Sequence, residues 1–397
     1  MPDISKKGME MPASPIRKLV PCAEKAKSKG IKVYHLNIGQ PDIPSPDVAI
    51  EAVRNFSGKI IEYGHSAGNL SYRKNLAEYY NSLGMNITHD NILITTGGSE
   101  ALITAFCICL NPGDELIVPE PFYTNYNSFA LHCDITIVPV ATEIESGFAL
   151  PSIEEFEKVI TPKTKAVMLC NPNNPTGYVY SENELERIKE LVIKYDLFLI
   201  SDEVYREFCY TNEKYCSCMD LKGIENNVIL IDSTSKRYSM CGIRIGALVS
   251  KNIEVIDAGL RSFQARLCAP VLGQIAAEAA LKTESKYFAE IRNEYLERRN
   301  CLTEGLNRIP GVFCPVPDGA FYTIARLPVN DAEEFAKWLL EEFDYKQQTV
   351  MLAPAAGFYK TKNKGINEVR IAYVLKKADL LNSVECLKHA LEKYGSR

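Results

Sequence analysis

Lys236 is the residue whose type and setting most clearly allow covalent chemistry. A lysine amine is a nucleophile that forms a Schiff base with an aldehyde, and once released it can also carry a proton. Most of the 45 Lys and Arg residues are expected to be solvated surface charges. Lys236 differs because it follows an apolar run ending at Asp232 and lies between Ser235 and Arg237. The sequence therefore predicts a reactive lysine just after a strand.

Four further polar motifs provide groups that can act with this lysine, and most of them follow a candidate strand. Because ligands of open α/β sheets bind outside the carboxyl ends of the strands, we expect all the motifs to build one site. The motifs are NIGQPD (Asn37–Asp42), TTGGSEAL (Thr95–Leu102), NPNNPTG (Asn171–Gly177) and SDEVY (Ser201–Tyr205), with STSKRYSMCGIRIG (Ser233–Gly246) as the segment that contains Lys236.

Two of these segments carry groups suited to an anion. Gly97, Gly98 and Ser99 follow a strand pattern and open a helix pattern, so backbone N–H groups and the helix dipole point at a ligand. Ser233 adds a hydroxyl, and Arg244 adds a guanidinium that can bind a phosphate through two hydrogen bonds. The two segments together predict a phosphate site.

Strands and helices alternate between about residues 90 and 250. Most candidate strands are apolar throughout, which is typical of strands covered by helices on both faces. Candidate helices include Ser99–Leu110 and Glu182–Tyr195, and Ser181 with Glu184 forms a capping-box pattern. We predict an α/β fold in which a large domain holds a mostly parallel seven-stranded sheet covered by helices. The candidate strands are Asn91–Thr95, Glu115–Val118, Ile135–Pro139, Lys165–Cys170, Leu197–Ser201, Val228–Asp232 and Ile245–Ser250.

The chain changes character after about residue 270. One long helical stretch, solvated and linking two domains, is expected over Ala276–Arg308. A smaller α+β domain should follow, with strands at Phe321–Ala325 and Val369–Val374 and helices at Ala332–Phe343 and Lys377–Tyr394.

Three units are expected along the chain, which also has a predicted N-terminal helix at Ser14–Lys29. Residues 1–46 are assigned to an N-terminal arm and part of the small domain. Residues 47–285 are assigned to the large domain that carries most of the motifs, and residues 286–397 to the small C-terminal domain.

Composition excludes several classes of protein. The 397 residues are 46% apolar and 24% charged, which is the mixture of a globular protein rather than of a disordered chain, collagen or a coiled coil. The net charge of -5 argues against a nucleic-acid partner, and no apolar run is long enough to span a membrane. The 13 cysteines are scattered, and no His lies near Cys209, Cys216 and Cys218, so we expect a reducing cytoplasm and no metal site.

The set of motifs resembles the fold-type I pyridoxal-phosphate enzymes, in particular the aspartate aminotransferase class I/II family, over almost the whole chain. The resemblance implies pyridoxal 5'-phosphate bound to Lys236 as a Schiff base. It implies that Asp202 pairs with the pyridinium nitrogen, that Tyr205 and Asn174 bind the phenolic oxygen, and that Tyr123 stacks on the ring. The implied phosphate ligands are Gly97, Gly98, Ser99, Ser233, Ser235 and Arg244.

The resemblance also implies how substrates bind. An amino acid gives its amine to the cofactor, and a 2-oxo acid then collects it. Arg370, in EVRIAYV, matches the arginine that binds the α-carboxylate, while Gly39 lets the backbone approach the substrate and Asn174 contacts it. Tyr63, in EYGHSAGNLSYR, matches a tyrosine that reaches the phosphate of a second subunit. A homodimer with shared active sites is therefore implied.

Substrate preference and reaction type stay open at this point. Dicarboxylate-specific relatives carry a second cation, for which Arg261 and Arg266 are candidates, but a structural ion pair is the favoured interpretation of either. A lyase or decarboxylase on the same scaffold is the alternative reaction, and the sequence Asn174–Gly177 favours amino transfer. A cofactor-binding DNA regulator is disfavoured because the N-terminal residues are not basic enough.

Overall fold

The computed structural model describes residues 2–211 and 214–396. The strands in these ranges are β1 (Lys32–His35), β2 (Ile92–Thr95), β3 (Glu115–Glu120), β4 (Thr136–Ala141), β5 (Thr164–Cys170), β6 (Phe198–Asp202), β7 (Val228–Ser233), β8 (Gly246–Val249), β9 (Tyr322–Arg326), β10 (Gln348–Met351), β11 (Ala353–Pro354) and β12 (Glu368–Ala372). The α-helices are α1 (Lys6–Glu10), α2 (Val20–Ser28), α3 (Asp47–Arg54), α4 (Leu70–Ser82), α5 (Gly98–Cys109), α6 (Asn125–His132), α7 (Ile153–Glu157), α8 (Glu182–Tyr195), α9 (Thr234–Arg237), α10 (Ile253–Arg266), α11 (Val271–Ala280), α12 (Ser285–Asn307), α13 (Ala332–Glu341) and α14 (Lys377–Gly395).

Seven strands form one mostly parallel sheet in the order β2-β8-β7-β6-β5-β3-β4. Strands β3 to β7 pair in parallel, whereas β8 runs antiparallel to both of its neighbours, β7 and β2. These are the seven strands predicted from the sequence, with ends that differ by at most two residues. The predicted α/β fold class, with a second and smaller sheet unit, is confirmed.

Each face of this sheet has its own hydrophobic core because successive side chains of a strand point to opposite faces. In β7, Val228 and Leu230 pack into one cluster, and Ile229 and Ile231 pack into the other. All four side chains are fully buried. The continuous apolar runs of the sequence follow from this burial on both sides.

Helix α8 shows how local signals fix an element. The side chain of Ser181 accepts a hydrogen bond from the Glu184 backbone at 3.3 Å, and the Ser181 N–H donates to the Glu184 carboxylate at 2.8 Å. The helix ends where Asp196 adopts a left-handed conformation with φ 52°. The predicted helix Glu182–Tyr195 and its capping box are therefore confirmed.

The C-terminal part of the chain carries two smaller sheets. Strands β11, β12 and β9 form an antiparallel sheet, and β10 pairs in parallel with the N-terminal strand β1. One core joins Leu19 and Tyr34 from the N-terminus to Phe335 and Ile371. N-terminal residues thus share a core with the C-terminal part of the chain, and the domain assignments stay a prediction.

Two sequence predictions were wrong in this region. The single helix expected over Ala276–Arg308 is two helices, α11 and α12, separated by a turn. They separate because α11 packs beside α3 in a cluster with Ala49, whereas α12 contributes Tyr295 and Leu302 to the C-terminal core. Helix α12 is therefore a packed element and not a solvated link.

The N-terminal helix was also predicted too long. It begins at Val20 rather than at Ser14, with Pro21 in its first turn, where the missing N–H of proline is tolerated. Residues 15–19 form turns instead. None of the helices in the described ranges is long and apolar enough to cross a membrane.

Candidate active site

The sheet topology brings most of the motifs to one edge. Strands β5, β6 and β7 are parallel, so the residues at or after their carboxyl ends, Asn174, Asp202 and Lys236, share that edge. Strand β8 runs the opposite way, so Arg244, which precedes it, lies at the same edge. Strand β2 is antiparallel to β8, and the helix start at Gly97 therefore arrives there too.

A cavity of about 580 Å³ lies at this edge, between the large sheet and the C-terminal part of the chain. A volume of this size suits a small cofactor with its substrate. The predicted site residues that line it are Gly39, Gly98, Ser99, Tyr123, Asn174, Asp202, Tyr205, Ser233, Ser235, Lys236, Arg244 and Arg370.

Lys236 lies on the short helix α9, directly after β7. The Ser233 hydroxyl caps this helix by accepting a hydrogen bond from the Ser235 backbone at 3.1 Å. The Lys236 amine donates to the Gly39 carbonyl at 2.8 Å and lies 6.0 Å from the centre of the Tyr205 ring. A neutral carbonyl is a partner that the amine can leave when it reacts.

Asp202 ends strand β6 as a buried carboxyl. Its Oδ2 accepts from the Tyr126 hydroxyl at 2.6 Å, and its Oδ1 accepts from the Val204 N–H at 3.4 Å. Burial raises the pKa of Asp202 to about 6, and these two hydrogen bonds offset the rise only in part. Among the residues that the structure describes, no cation pairs with this carboxyl, although a buried carboxylate normally has such a partner.

Three polar side chains form a line along the cavity wall. The Asn174 amide donates to the Tyr205 hydroxyl at 3.4 Å, and the Tyr205 hydroxyl lies 3.1 Å from that of Tyr322. Burial raises the pKa of Tyr205 well above its ordinary value of 10. The phenol thus stays protonated at neutral pH and is available as a hydrogen-bond donor.

Arg370 reaches the cavity from strand β12 and is 1% exposed. Its guanidinium carbon lies 4.6 Å from the centre of the Tyr322 ring. Nη1 donates to Asn174 Oδ1 at 3.1 Å, and Nη2 donates to the Asn37 carbonyl. Nε is buried without a partner, and no carboxylate of the described residues lies within 4 Å of this guanidinium. Burial accordingly lowers the pKa of Arg370.

A second group of residues at the cavity consists of those predicted to bind an anion. Gly97 has φ 77°, a left-handed conformation that favours glycine, and the Arg244 guanidinium lies where a Cβ atom of this residue would be. The Ser233 and Ser235 hydroxyls lie 2.9 Å apart. Helix α5 begins beside them, with Ser99 in its first turn. This is the geometry expected of a phosphate site.

Of four further residues named in the sequence analysis, one lines the cavity and three lie outside it. Tyr123 lines the cavity, and burial raises its pKa to about 12. Tyr63 is 80% exposed and lies outside the cavity of its own chain. Arg266 pairs with Glu100 at 3.0 Å, and Arg261 is exposed on α10. Neither arginine lines the cavity, and Arg266 forms the structural ion pair that the sequence analysis favoured.

Sequence reasoning missed several residues of the cavity wall. Tyr126 lies within the EPFYTNY segment, but the sequence gave no sign that it bonds Asp202. Tyr322 begins β9, whose first four residues are all buried, so the sequence did not distinguish it from a core tyrosine. Ser14 and Arg17 were assigned to a helix, although Pro15 and Pro21 are the signals that could have moved its start.

A buried charge network lies behind Lys236. Both oxygens of Asp232 accept from Arg237 Nη2, at 2.7 and 2.6 Å, and Arg237 Nε donates to Glu207 at 2.7 Å. Burial alone would raise the pKa of Asp232, but the charges of Arg237 and Arg206 overcome it and lower the value to about 2. Arg237 was noted in the sequence only as a neighbour of Lys236.

A large, mostly parallel sheet with a lysine-containing cavity at its carboxyl edge defines an α/β enzyme. The chain belongs to the aminotransferase class I and II family, whose family model matches residues 31–380. The resemblance inferred from the motifs is therefore confirmed, and the protein is an aminotransferase.

Individual relatives agree with this assignment along their whole length. The chain is 32% identical to an aspartate aminotransferase of Thermotoga maritima, covering 98% of both proteins. It is 30% identical to an aromatic-amino-acid aminotransferase of Thermococcus litoralis, covering 96% of each. The solved structure of an alanine aminotransferase from Pyrococcus furiosus matches with a TM-score of 0.90 at 30% identity, over 98% of this chain and all of that one. The three differ in named substrate, so similarity alone leaves the substrate open.

Proposed function

We propose that the protein transfers an amino group between an L-amino acid and a 2-oxo acid, with pyridoxal 5'-phosphate bound covalently to Lys236. One observation carries the proposal. The Lys236 amine, the buried carboxyl of Asp202 and the guanidinium of Arg370, which has no carboxylate partner among the described residues, all line the same cavity.

The residues present fit this cofactor in charge and in hydrogen-bonding capacity. Burial raises the pKa of Asp202, and a protonated ring nitrogen beside the carboxylate would lower it again by stabilising the charged form. Arg244, Ser233, Ser235 and the first turn of helix α5 offer cation, hydroxyls and N–H groups to a phosphate. Gly97 leaves the space that the Arg244 guanidinium needs. Tyr205 and Asn174 are then available to the phenolic oxygen, and Tyr123 to the face of the ring.

The protein's own groups carry out the remaining steps. Pyridoxal phosphate, when bound, supplies an electron sink for a carbanion at the substrate Cα. Lys236 is the base that removes the Cα proton and the acid that returns it, since its amine is held only by the Gly39 carbonyl among the described residues. Asp202 keeps the ring nitrogen protonated, and the protonated Tyr205 donates a hydrogen bond.

Arg370 is the proposed ligand of the substrate α-carboxylate. Its unpartnered Nε and its position between the Tyr322 and Phe358 rings leave a planar guanidinium in place before any substrate arrives. Asn174 contacts the same guanidinium, and Gly39 leaves room because a Cβ there would collide with Tyr322. Substrate binding thus joins the large sheet to the C-terminal part of the chain.

A homodimer with shared sites is part of the proposal. Ile60, Ile61 and Tyr63 are 71%, 58% and 80% exposed, which is unusual for three large apolar side chains so close in sequence. A second subunit that covers them would bring Tyr63 to the neighbouring phosphate site. Sedimentation should therefore give a dimer. The domain boundaries at 46/47 and 285/286 and the cytoplasmic location stay predictions.

Nitrogen tracing tests the proposed reaction. The protein loaded with pyridoxal phosphate is incubated with a set of ¹⁵N-labelled amino acids and unlabelled 2-oxoglutarate, and the products are followed by NMR. Amino transfer puts the label into glutamate. Release of the label as ammonia indicates a lyase, and loss of the α-carboxylate as carbon dioxide indicates a decarboxylase. Either of those as the main product would contradict the proposal.

A further inference from the structure

Helix α9, which carries Lys236, is four residues long and therefore only about one turn. The Ser233 hydroxyl caps its first turn, and the Tyr238 N–H closes its last turn by donating to the Thr234 carbonyl at 3.2 Å. A helix this short has little stability of its own, because nucleation costs more than its few hydrogen bonds return. The position of Lys236 consequently depends on the contacts that α9 makes with the rest of the protein.

Arg237, the residue after Lys236, makes such contacts from the back of the helix. Lys236 lines the cavity, whereas Arg237 does not line it and is 1% exposed. Arg237 Nη2 donates to both oxygens of Asp232, at 2.7 and 2.6 Å, and Nε donates to Glu207 at 2.7 Å. Asp232 belongs to β7, and Glu207 follows the end of β6. One guanidinium thus joins α9 to the ends of two strands of the large sheet.

The two carboxylates that hold Arg237 are themselves held by other groups. Asp232 accepts from the Tyr80 hydroxyl at 2.7 Å and from the Ser233 N–H at 2.8 Å. Glu207 accepts from the Tyr79 hydroxyl, and the Tyr79 ring centre lies 4.6 Å from the Arg237 guanidinium carbon. Both tyrosines belong to helix α4, so a shift of α9 would break contacts with a third element.

The same buried network lies next to the other two polar residues that face the cofactor space. Each of the three cavity residues is followed directly by a charged residue of the network; the pairs are Asp202 with Glu203, Tyr205 with Arg206, and Lys236 with Arg237. Arg206 Nε donates to Glu203 at 3.2 Å, and its Nη1 lies 3.9 Å from Glu207 Oε1. Because Glu207 also accepts from Arg237, one series of ion pairs connects the backbone behind all three positions.

We propose that Arg237 is a positioning residue, which anchors helix α9 so that the Lys236 amine is held at bonding distance from the aldehyde of the cofactor. The inference rests on the proposed function, because it takes that aldehyde to react with Lys236. In this reaction the amine nitrogen forms a double bond to the aldehyde carbon, and the aldehyde oxygen leaves as water. A misplacement of about 1 Å can cost about 100-fold in such a reaction.

Two forms of the cofactor separate positioning from general stability. Pyridoxal 5'-phosphate and pyridoxamine 5'-phosphate share the ring and the phosphate, but the second carries an amine in place of the aldehyde and cannot bond to Lys236. The ratio of their dissociation constants, measured on the cofactor-free protein, therefore isolates the contribution of Lys236. Arg237→Met combined with Asp232→Asn avoids a buried unpaired carboxylate at position 232. In this double variant we expect pyridoxal phosphate to weaken about 10- to 100-fold relative to pyridoxamine phosphate.

Two further variants serve as comparisons. Arg237→Lys keeps the charge but loses the planar group that binds Asp232 and Glu207 together, so its ratio should lie between those of the wild type and the double variant. Leu306→Ala controls for loss of stability, since Leu306 is fully buried in the C-terminal core and does not line the cavity. This control should keep the wild-type ratio.

The outcomes distinguish the inference from the proposed function. Equal weakening of the two ligands in the double variant, which leaves the ratio at its wild-type value, would mean that Arg237 only stabilises the fold and would overturn the inference. If the double variant does not fold, a wild-type ratio in Arg237→Lys has the same meaning. A wild-type protein that binds the two ligands equally, and carries no phosphopyridoxyl group on Lys236 after borohydride reduction, would instead contradict the proposed function.

Discussion

Arg370 Nη1 donates a hydrogen bond to Asn174 Oδ1 at 3.1 Å, which links strand β12 to the loop after β5. The arginine belongs to the C-terminal part of the chain and the asparagine to the edge of the large sheet. Arg370 is fully buried, with an unpartnered Nε. A carboxylate that binds this guanidinium would be held between two parts of the protein, which favours exclusion of water from the reacting Cα.

Arg370→Lys keeps a positive charge but loses the planar guanidinium that binds a carboxylate through two hydrogen bonds. We expect kcat/KM to fall at least about 10-fold for every 2-amino acid, since one charge-assisted hydrogen bond is lost. The loss should be small for an amine without a carboxylate. Steady-state kinetics with one donor of each kind measures this, and equal losses for the two would mean that Arg370 acts only in holding the C-terminal part together.

Asp202→Asn should affect stability and cofactor binding in opposite directions. Burial raises the pKa of Asp202 from 3.8 to about 6. The contribution of this group to the stability of the cofactor-free fold is therefore fully present below the pKa of the unfolded chain, and it is lost as the pH rises through about 6. An uncharged Asn escapes this loss. The variant should therefore gain about 3 kcal/mol in free energy of unfolding at about pH 8 and about half of that at about pH 5.

Urea unfolding of the two cofactor-free proteins at both pH values measures this gain. With pyridoxal phosphate present the order should reverse, because Asn cannot pair with a protonated ring nitrogen, and the variant should release the cofactor more easily. A gain that does not depend on pH would show that the Asp202 carboxyl is not the group responsible.

Arg237→Met should destabilise the fold by about 3 to 5 kcal/mol, because it leaves the Asp232 carboxylate buried without the partner that binds both of its oxygens. Adding Asp232→Asn in the same chain should recover much of this loss. Arg308→Met is the matched surface control: Arg308 is 80% exposed, and its ion pair with Glu304 spans 3.6 Å. Denaturant midpoints rank the variants, and equal effects at Arg237 and Arg308 would contradict the role of the network.

The fold could be predicted from the sequence where local pattern and tertiary structure agree. Strand β7 is apolar from Val228 to Ile231 because both of its faces are buried, and the Ser181–Glu184 capping box marks the start of α8. Prediction failed where packing partners decide the ends of elements. The break between α11 and α12 depends on two separate cores, which no local pattern reveals.

The residues of the candidate site likewise include some that the sequence could predict and some that only the tertiary structure reveals. Lys236, Asp202 and Arg370 stand in short motifs whose residue types already suggest their chemistry. Arg17 and Tyr322 stand in no such motif, and they reach the cavity only because a turn and an antiparallel strand fold against it. Tyr63 is a third case, since its proposed role depends on a second subunit.

The central claim is that Lys236 holds the cofactor, and peptide mass mapping after borohydride reduction tests it most directly. The wild-type protein, loaded with pyridoxal phosphate and reduced, should carry one phosphopyridoxyl group per chain, located on Lys236. Lys236→Ala should carry none. Modification of a different residue in the wild-type protein, or an equal amount of modification in Lys236→Ala, would contradict the account.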